Sequence, residues 1–187
     1  KCNLSIDTFR GKVAALALEA GAGMINDISA WNLDHEMLET IKKFQPPYVL
    51  MHMKGHPKNM QSNPTYKNLI KEILSFLIKK IELLDQIGIK DVLLDPGFGF
   101  GKTLEHNFSI LRNLESFKTL NTPILVGISR KSMITNHLKI NKINSLNGTT
   151  ALNMNALSKG AKVLRVHDVL PAMECISLHE KIKNSNE

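Results

Sequence analysis

Cysteine is scarce in this chain. Cys2 and Cys175 are the only two in 187 residues, and they form no spaced ligand set. That excludes a disulfide framework and fits a reducing compartment, with both thiols as bystanders. No apolar run approaches the roughly 18 to 20 residues that cross a bilayer. The opening residues KCNLSIDTF lack the charged and apolar regions of a signal peptide, so a cytoplasmic protein is expected, with no membrane partner. Aromatics are few, at 5%, and the net charge of +7 comes from Lys and Arg scattered among Asn and Ile. Without a basic block or an aromatic-interleaved stripe, no nucleic-acid partner is expected, and an anionic small substrate explains the charge as well. Hydrophobic content of 43% with 22% charged residues suits one globular core, expected as a single domain over residues 1–187.

The most informative stretch is Val92 to Lys102, VLLDPGFGFGK. A short apolar run ends on Asp95 and passes into a Pro and Gly turn before an amphipathic pattern begins. That is strand, turn, helix, and three alternate glycines let the backbone approach a ligand closely. Pro96 to Thr103 is also one residue away from the phosphate-cradling pattern G-x-x-x-x-G-K-[ST]. Pro96 stands where the first Gly belongs, removing an amide and fixing φ, which disfavours a phosphate loop.

The same theme recurs along the chain. Strands are expected at Leu4–Asp7, Met24–Ile28, Tyr48–Met53, Val92–Asp95, Ile124–Gly127 and Val163–Val166. Helices are expected at about Arg10–Ala20 (capped by Thr8), Asp34–Phe44, Thr65–Ile87, Glu105–Leu120, Thr149–Lys159 and Leu170–Lys183, with a polar connection from Asn136 to Asn147. Strands apolar throughout are covered on both faces, which argues for a parallel sheet. Polar residues stand at the carboxyl ends of all six strands: Asp7, Asn26, Met51-His52, Asp95, Ser129-Arg130-Lys131 and Arg165-Val166-His167. A (β/α)₈ barrel converges every strand end on one mouth, so a TIM barrel is favoured over an open doubly wound sheet. Six βα units fall short of eight, so two amino-terminal units are expected to be missing.

The blocks SIDT (Ser5–Thr8), INDI (Ile25–Ile28), LMHMKGHPKNMQ from Leu50, LLDPGFGFGK from Leu93, GISRKSMI from Gly127 and LRVHDV from Leu164 together resemble dihydropteroate synthase. The resemblance covers essentially the whole chain and corresponds to the third to eighth βα units of that family's pterin-binding barrel. It implies condensation of 6-hydroxymethyl-7,8-dihydropterin diphosphate with p-aminobenzoate to 7,8-dihydropteroate and diphosphate, with Mg²⁺, sulfonamides as competitors, and pairing into a homodimer.

By the same resemblance, Asp95 would accept from the pterin's exocyclic amine, Asn26 would bond the ring edge and Asp7 would sit beside the dihydro ring. Met51 and Phe100 would pack on the ring faces, and Lys131 would donate to the carbonyl side. Arg165 would lie over the ring and reach the diphosphate with His167. Ser132, opening the helix after Lys131, would meet the p-aminobenzoate carboxylate. Arg165 and His167, two apart in an expected strand, would share a face. Asp7, Asn26, Asp95, Lys131, Arg165 and His167 are the expected catalytic set, and no protein metal ligand is expected within this chain.

Three alternatives remain beside this. They are a methyltetrahydrofolate-binding methyltransferase domain, a P-loop nucleotide-binding protein, and a non-catalytic pterin-binding fragment. Met51, taken alone, is more often a core residue than a ligand contact, and Phe100 alone could simply cover the barrel end. Of the adjacent cations Arg130 and Lys131, one is expected to be a surface charge. His52 and His56 have the i, i+4 spacing of a helical metal pair, but Gly55 and Pro57 argue against a helix there. Trp31 is expected to serve packing.

Overall fold

The structure, a computed structural model, describes residues 3–185; Cys2 lies outside the described residues. The chain divides into two compact units. One runs to Met53 and resumes over Tyr66–Gly97, and the other combines Lys54–Thr65 with the chain from Phe98 onward.

The first unit alternates strand and helix: β1 (Ser5–Asp7), α1 (Gly11–Glu19), β2 (Met24–Asp27), α2 (Glu36–Phe44), β3 (Tyr48–Met51), α3 (Leu69–Gln86) and β4 (Val92–Asp95). Its strands pair in chain order and all in parallel. Tyr48, Val49, Leu50 and Met51 are all buried, as expected for a strand covered on both faces. The face of α3 that carries Ile73, Leu77 and Leu84 is buried. The side chain of Asn68 caps the helix by accepting from the Lys71 amide at 3.1 Å, and Gly88, at φ +83°, follows its end.

The second unit contains α4 (Leu104–Arg112), a 3₁₀ helix over Leu114–Leu120, β5 (Ile124–Val126), α5 (Ser132–Leu138), a 3₁₀ turn over Lys142–Asn144, α6 (Leu146–Ser158), β6 (Ala161–Leu164) and α7 (Val169–Asn184). β5 and β6 are parallel, with a register irregularity at Ile124/Leu125. The protein is therefore an α/β fold with parallel pairing within each unit. Among the described residues, no helix is long and apolar enough to cross a membrane.

Several expectations are corrected. The single helix Glu105–Leu120 is two, α4 and a 3₁₀ helix, because the α-helix closes at Asn113. The expected strand Val163–Val166 begins and ends two residues earlier, at Ala161 and Leu164. The polar connection Asn136–Asn147 holds the end of α5 and the 3₁₀ turn. Thr8 does not cap α1; its hydroxyl accepts from the Arg10 amide, one residue before the helix. Asp34 takes that role from a distant loop, accepting from the Gly11 amide at 2.8 Å with one oxygen and from the Glu36 amide at 3.0 Å with the other.

One carboxylate thus serves the first turns of α1 and α2 together. The Asp34→Ala variant is expected to lose about 1–3 kcal/mol of stability in urea unfolding, and Thr8→Ala less than half of that. Equal losses in the two variants would return the cap to Thr8.

Candidate active site

Parallel register decides which side chains of the first unit share a face. Asp7 stands opposite Asn26, Asn26 opposite Val49, and Met51, two residues beyond Val49, opposite Asp95. Side chains alternate along a strand, so Asp7, Asn26, Met51 and Asp95 line one side of the sheet near its carboxyl edge. Asn26 Nδ2 donates to Asp7 Oδ1. Asn26 Oδ1, by contrast, is buried and meets no hydrogen-bond donor among the described residues. Asp95 is also buried, and its Oδ1 accepts from the Gly97 amide at 2.7 Å. An acid, an amide with an unanswered acceptor and a second acid, beside the buried Met51 thioether, suit a flat heterocycle that presents N–H groups along one edge.

Asp27 escaped the sequence analysis. It is fully buried and points to the opposite side from Asn26, where its carboxylate accepts four hydrogen bonds. The donors are the Ser29 amide and hydroxyl (both 2.8 Å), the Trp31 amide (2.7 Å) and the Tyr48 hydroxyl (2.7 Å). Burial, and then the Asp27 charge, push the Tyr48 phenol well above its ordinary pKa, which keeps it a donor. The loop so held places Ala30 and Trp31 at φ +50° and +56°, a left-handed pair without glycine. Lys80 closes it from α3, donating to the Ala30 carbonyl and the Asn32 side chain, both at 2.8 Å, with its Nζ 4.0 Å from the Trp31 ring centroid. Trp31 is indeed a packing residue. The spacing Asp27-Ile28-Ser29 is an Asx-turn signal that could have identified the loop.

The structure also settles the histidines. His52 is buried and edge-on to Phe76 at 5.0 Å, and residues 52–56 are not helical, so His52 and His56 do not form an i, i+4 pair on one helix face. Among the described residues no three His, Cys, Asp or Glu side chains gather as a metal site.

In the second unit Lys131 precedes α5, and its Nζ donates to the Phe98 carbonyl at 2.5 Å while standing 4.9 Å from the Phe100 ring centroid. A Cβ on Gly127 would lie 3.7 Å from Arg165 Cβ and 4.0 Å from Lys131 Nζ, so both cations adjoin that glycine. Arg165 and His167 lie beyond the end of β6, which overturns their placement within a strand. Their spacing is set instead by two anchors. The Arg165 amide donates to the Val126 carbonyl at 2.9 Å, and the His167 amide donates to the Ser129 hydroxyl at 3.2 Å. His167 Nδ1 is 3.0 Å from the same hydroxyl. Ser132 opens α5, which is seven residues long.

The surface charge expected at the Arg130-Lys131 pair is not found, because Arg130 is taken up by partners from two loops and Lys131 by the Phe98 carbonyl. The Arg130 guanidinium grips Asp168 through two bonds of 2.8 Å and donates to the Lys142 and Ile143 carbonyls, tying the β5 and β6 loops together. That pairing raises the Arg130 pKa and lowers that of Asp168. The phosphate-loop alternative finds no support, since Lys102 is buried and donates back to the Phe100 carbonyl at 3.0 Å. The glycines have another use. A Cβ on Gly101 would overlap the Lys54 carbonyl, and the Gly99 carbonyl accepts from Gln61, so the turn seats the Lys54–Thr65 loop.

Residues 1–167 match the family described as pterin binding enzyme. The bifunctional dihydropteroate synthase/dihydropteroate reductase of Helicobacter pylori is 38% identical over 182 residues, which are 97% of this chain and 48% of the relative. The dihydropteroate synthase of Haemophilus influenzae is 38% identical over 186 residues, 98% of this chain and 67% of the relative. The chain thus spans between about half and two thirds of the length of these curated relatives. The crystal structure of Yersinia pestis dihydropteroate synthase with a sulfonamide drug complex superposes with a TM-score of 0.95 at 38% identity, over 99% of this chain and 68% of that one.

The Asp27 loop makes a prediction of its own. Burial depresses Lys80 from an ordinary pKa of 10.5 to about 8, against an opposing pull from Asp27. Between those two values the unfolded chain holds the proton that the folded chain has released, so stability from this half-buried group rises with pH across that window. Urea unfolding at a series of pH values should show this rise in the wild-type protein and its absence in Lys80→Met; parallel profiles would refute the assignment.

Proposed function

The chain belongs to the family of pterin binding enzymes, and on that premise we propose that it carries the third to eighth βα units of a dihydropteroate synthase barrel, acting as one pterin-binding domain. The substrates are 6-hydroxymethyl-7,8-dihydropterin diphosphate and p-aminobenzoate, and the products 7,8-dihydropteroate and diphosphate. The observation that carries the proposal is the buried Asn26 Oδ1, an acceptor without a donor among the described residues, on the sheet face shared with Asp7, Met51 and Asp95. Such an atom costs about 1–3 kcal/mol when unsatisfied, and a pterin N–H satisfies it. The likeness to the Yersinia pestis enzyme supports the barrel and supports sulfonamides as competitors for the second substrate.

Each side chain then has a task. Asp95 accepts from the exocyclic amine and the adjacent ring N–H, Asn26 from the ring edge, and Asp7 lies by the dihydro ring, with Met51 and Phe100 on the faces. Lys131 and Arg165 bring positive charge to the pterin carbonyl and the diphosphate, joined there by His167, and Ser132 meets the p-aminobenzoate carboxylate. The bond from the pterin methylene to the diphosphate oxygen breaks first, leaving a resonance-stabilised cation. Negative charge at Asp7 favours that cation, and Arg165 and His167 favour the departing anion. The aniline nitrogen then forms the new C–N bond and gives up a proton, with no protein nucleophile.

Mg²⁺ belongs to the proposal as a companion of the substrate diphosphate, since this ion takes most of its ligands from phosphates and water. The described residues of this chain offer no cage for it, and no step above depends on it. A cytoplasmic homodimer completes the proposal. Leu170, Met173, Leu178 and Ile182 on α7 are each at least 60% exposed, an apolar surface that a second copy would cover. The Lys131, Arg165 and His167 set favours the synthase over a methyltetrahydrofolate-binding methyltransferase domain, which has no diphosphate to hold.

The test uses the intact natural protein that carries this chain, mixed with both substrates and Mg²⁺, with dihydropteroate followed by mass. Product is expected from the wild type and none from Lys131→Ala. Asp95→Ala should abolish binding of free pterin and diphosphate form alike. Arg165→Ala should weaken the diphosphate form about tenfold or more while sparing free pterin. Equal losses for both ligands in both variants would contradict this division, and absence of pterin binding by the wild type would end the proposal.

A further inference from the structure

The second unit holds a cavity of ≈ 610 Å³ at the amino-terminal ends of β5 and β6, around Ile124 and Ala161. These are the opposite ends of the strands from Lys131 and Arg165. The two strands are 3 and 4 residues long, so the cavity lies about 10–13 Å away along the sheet. Pro123, Ile124, Leu157 and Ala161 give it an apolar floor, and Lys118, Lys162 and Lys183 bring its charge, with the His179 imidazole beside them. No Asp or Glu is among the described residues that line it. We propose that this cavity binds a phosphate-bearing anion of mononucleotide size.

Three features support the assignment. The charge is of one sign in a concave, partly apolar setting, which concentrates potential and draws anions. The volume falls within the roughly 300–1,000 Å³ of small-molecule sites, more than a lone phosphate needs and suited to a chain of phosphates with or without a nucleoside. Finally, the basic groups converge from separate elements. The end of the Lys118 side chain passes over Gly160 at the end of α6, where a Cβ would stand 3.1 Å from its Nζ. His179 and Lys183, four apart on α7, project on the same side of that helix. Lys118 also meets Glu115 at 3.4 Å, but both side chains are at least half exposed, and such a pair gives way readily to a more highly charged anion.

The experiment is calorimetric titration of the intact natural protein with ATP and with inorganic triphosphate, using sulfate as the simple-anion control. Saturable binding at one site per chain is expected. It should weaken at least tenfold in Lys162→Glu/Lys183→Glu and measurably in Lys118→Ala, yet persist unchanged in Arg165→Ala. That last arm separates this site from the diphosphate site proposed above. Comparable affinity for both probes would identify the phosphate chain as the ligand, and preference for ATP would add the nucleoside. The lysines are exposed, so melting temperatures should match the wild type; should the double reversal fail to fold, Lys162→Gln/Lys183→Gln carries the same expectation in smaller measure. Binding indifferent to the lysine substitutions, binding lost in Arg165→Ala, or a response no different from sulfate would each overturn the proposal.

Discussion

A parallel strand sends successive side chains to opposite faces, and the first unit depends on that constraint. Asn26 and Asp27 are neighbours in sequence and have unrelated environments. Asn26 shares a face with Asp7, Met51 and Asp95, whereas Asp27 faces Tyr48 and the loop that follows β2. A fully buried carboxylate would cost several kcal/mol without partners, and Asp27 avoids this with four donors. The same four bonds fix the backbone on which Asn26 stands, so the rigid acceptor on one face rests on a satisfied acid on the other. A register slip of one residue would exchange the two, leaving an orphaned amide outside and an unpaired acid at the candidate site.

The second unit repeats this division of labour without a strand to impose it. Arg130 and Lys131 are adjacent, but Arg130 takes a left-handed conformation, φ +55°, and turns to Asp168, while Lys131 turns to the Phe98 carbonyl. The planar fork of arginine matches a carboxylate through two parallel bonds, a geometry lysine does not offer. That explains why Arg130, and not Lys131, holds the two loops together. Ser129, buried between β5 and the segment after β6, meets His167 through its hydroxyl and so anchors the imidazole from the same loop.

Much of this was legible in the sequence because it rests on local pattern. Val92–Asp95 is found where the apolar run and the Pro-Gly turn place it. What escaped depends on partners remote in sequence. Thr8 has the composition of a cap and stands at the right offset, but Asp34, 23 residues beyond Gly11, reaches the helix first. No window of a few residues contains that information. The displacement of β6 has a similar origin. Val163 to Val166 is the more apolar stretch, yet pairing with β5 begins at Ala161, and Arg165 is held by one bond to Val126 after the regular strand has ended. Asp27 lies in the same INDI block as Asn26, and only its spacing to Ser29 marks locally the loop that it holds.

The glycine run shows how a correct location accompanied an incomplete cause. Alternate glycines after a strand invite a ligand-approach explanation, since only glycine lets a bound group come close to backbone. Here the group that comes close to Gly101 is the Lys54 carbonyl, and Gly99 has its amide on the Asn107 side chain and its carbonyl on Gln61. The turn is therefore built for a segment of the same chain. That segment, Lys54–Thr65, carries few apolar side chains and little regular structure of its own, so its position rests on backbone contacts of this kind. Any side chain at position 101 would displace the Lys54 backbone, a neighbour far less able to yield than the end of a flexible side chain. The glycine thereby fixes the backbone next to Phe100, whose ring lies by the Lys131 ammonium, and so helps to hold an aromatic face and a cation together.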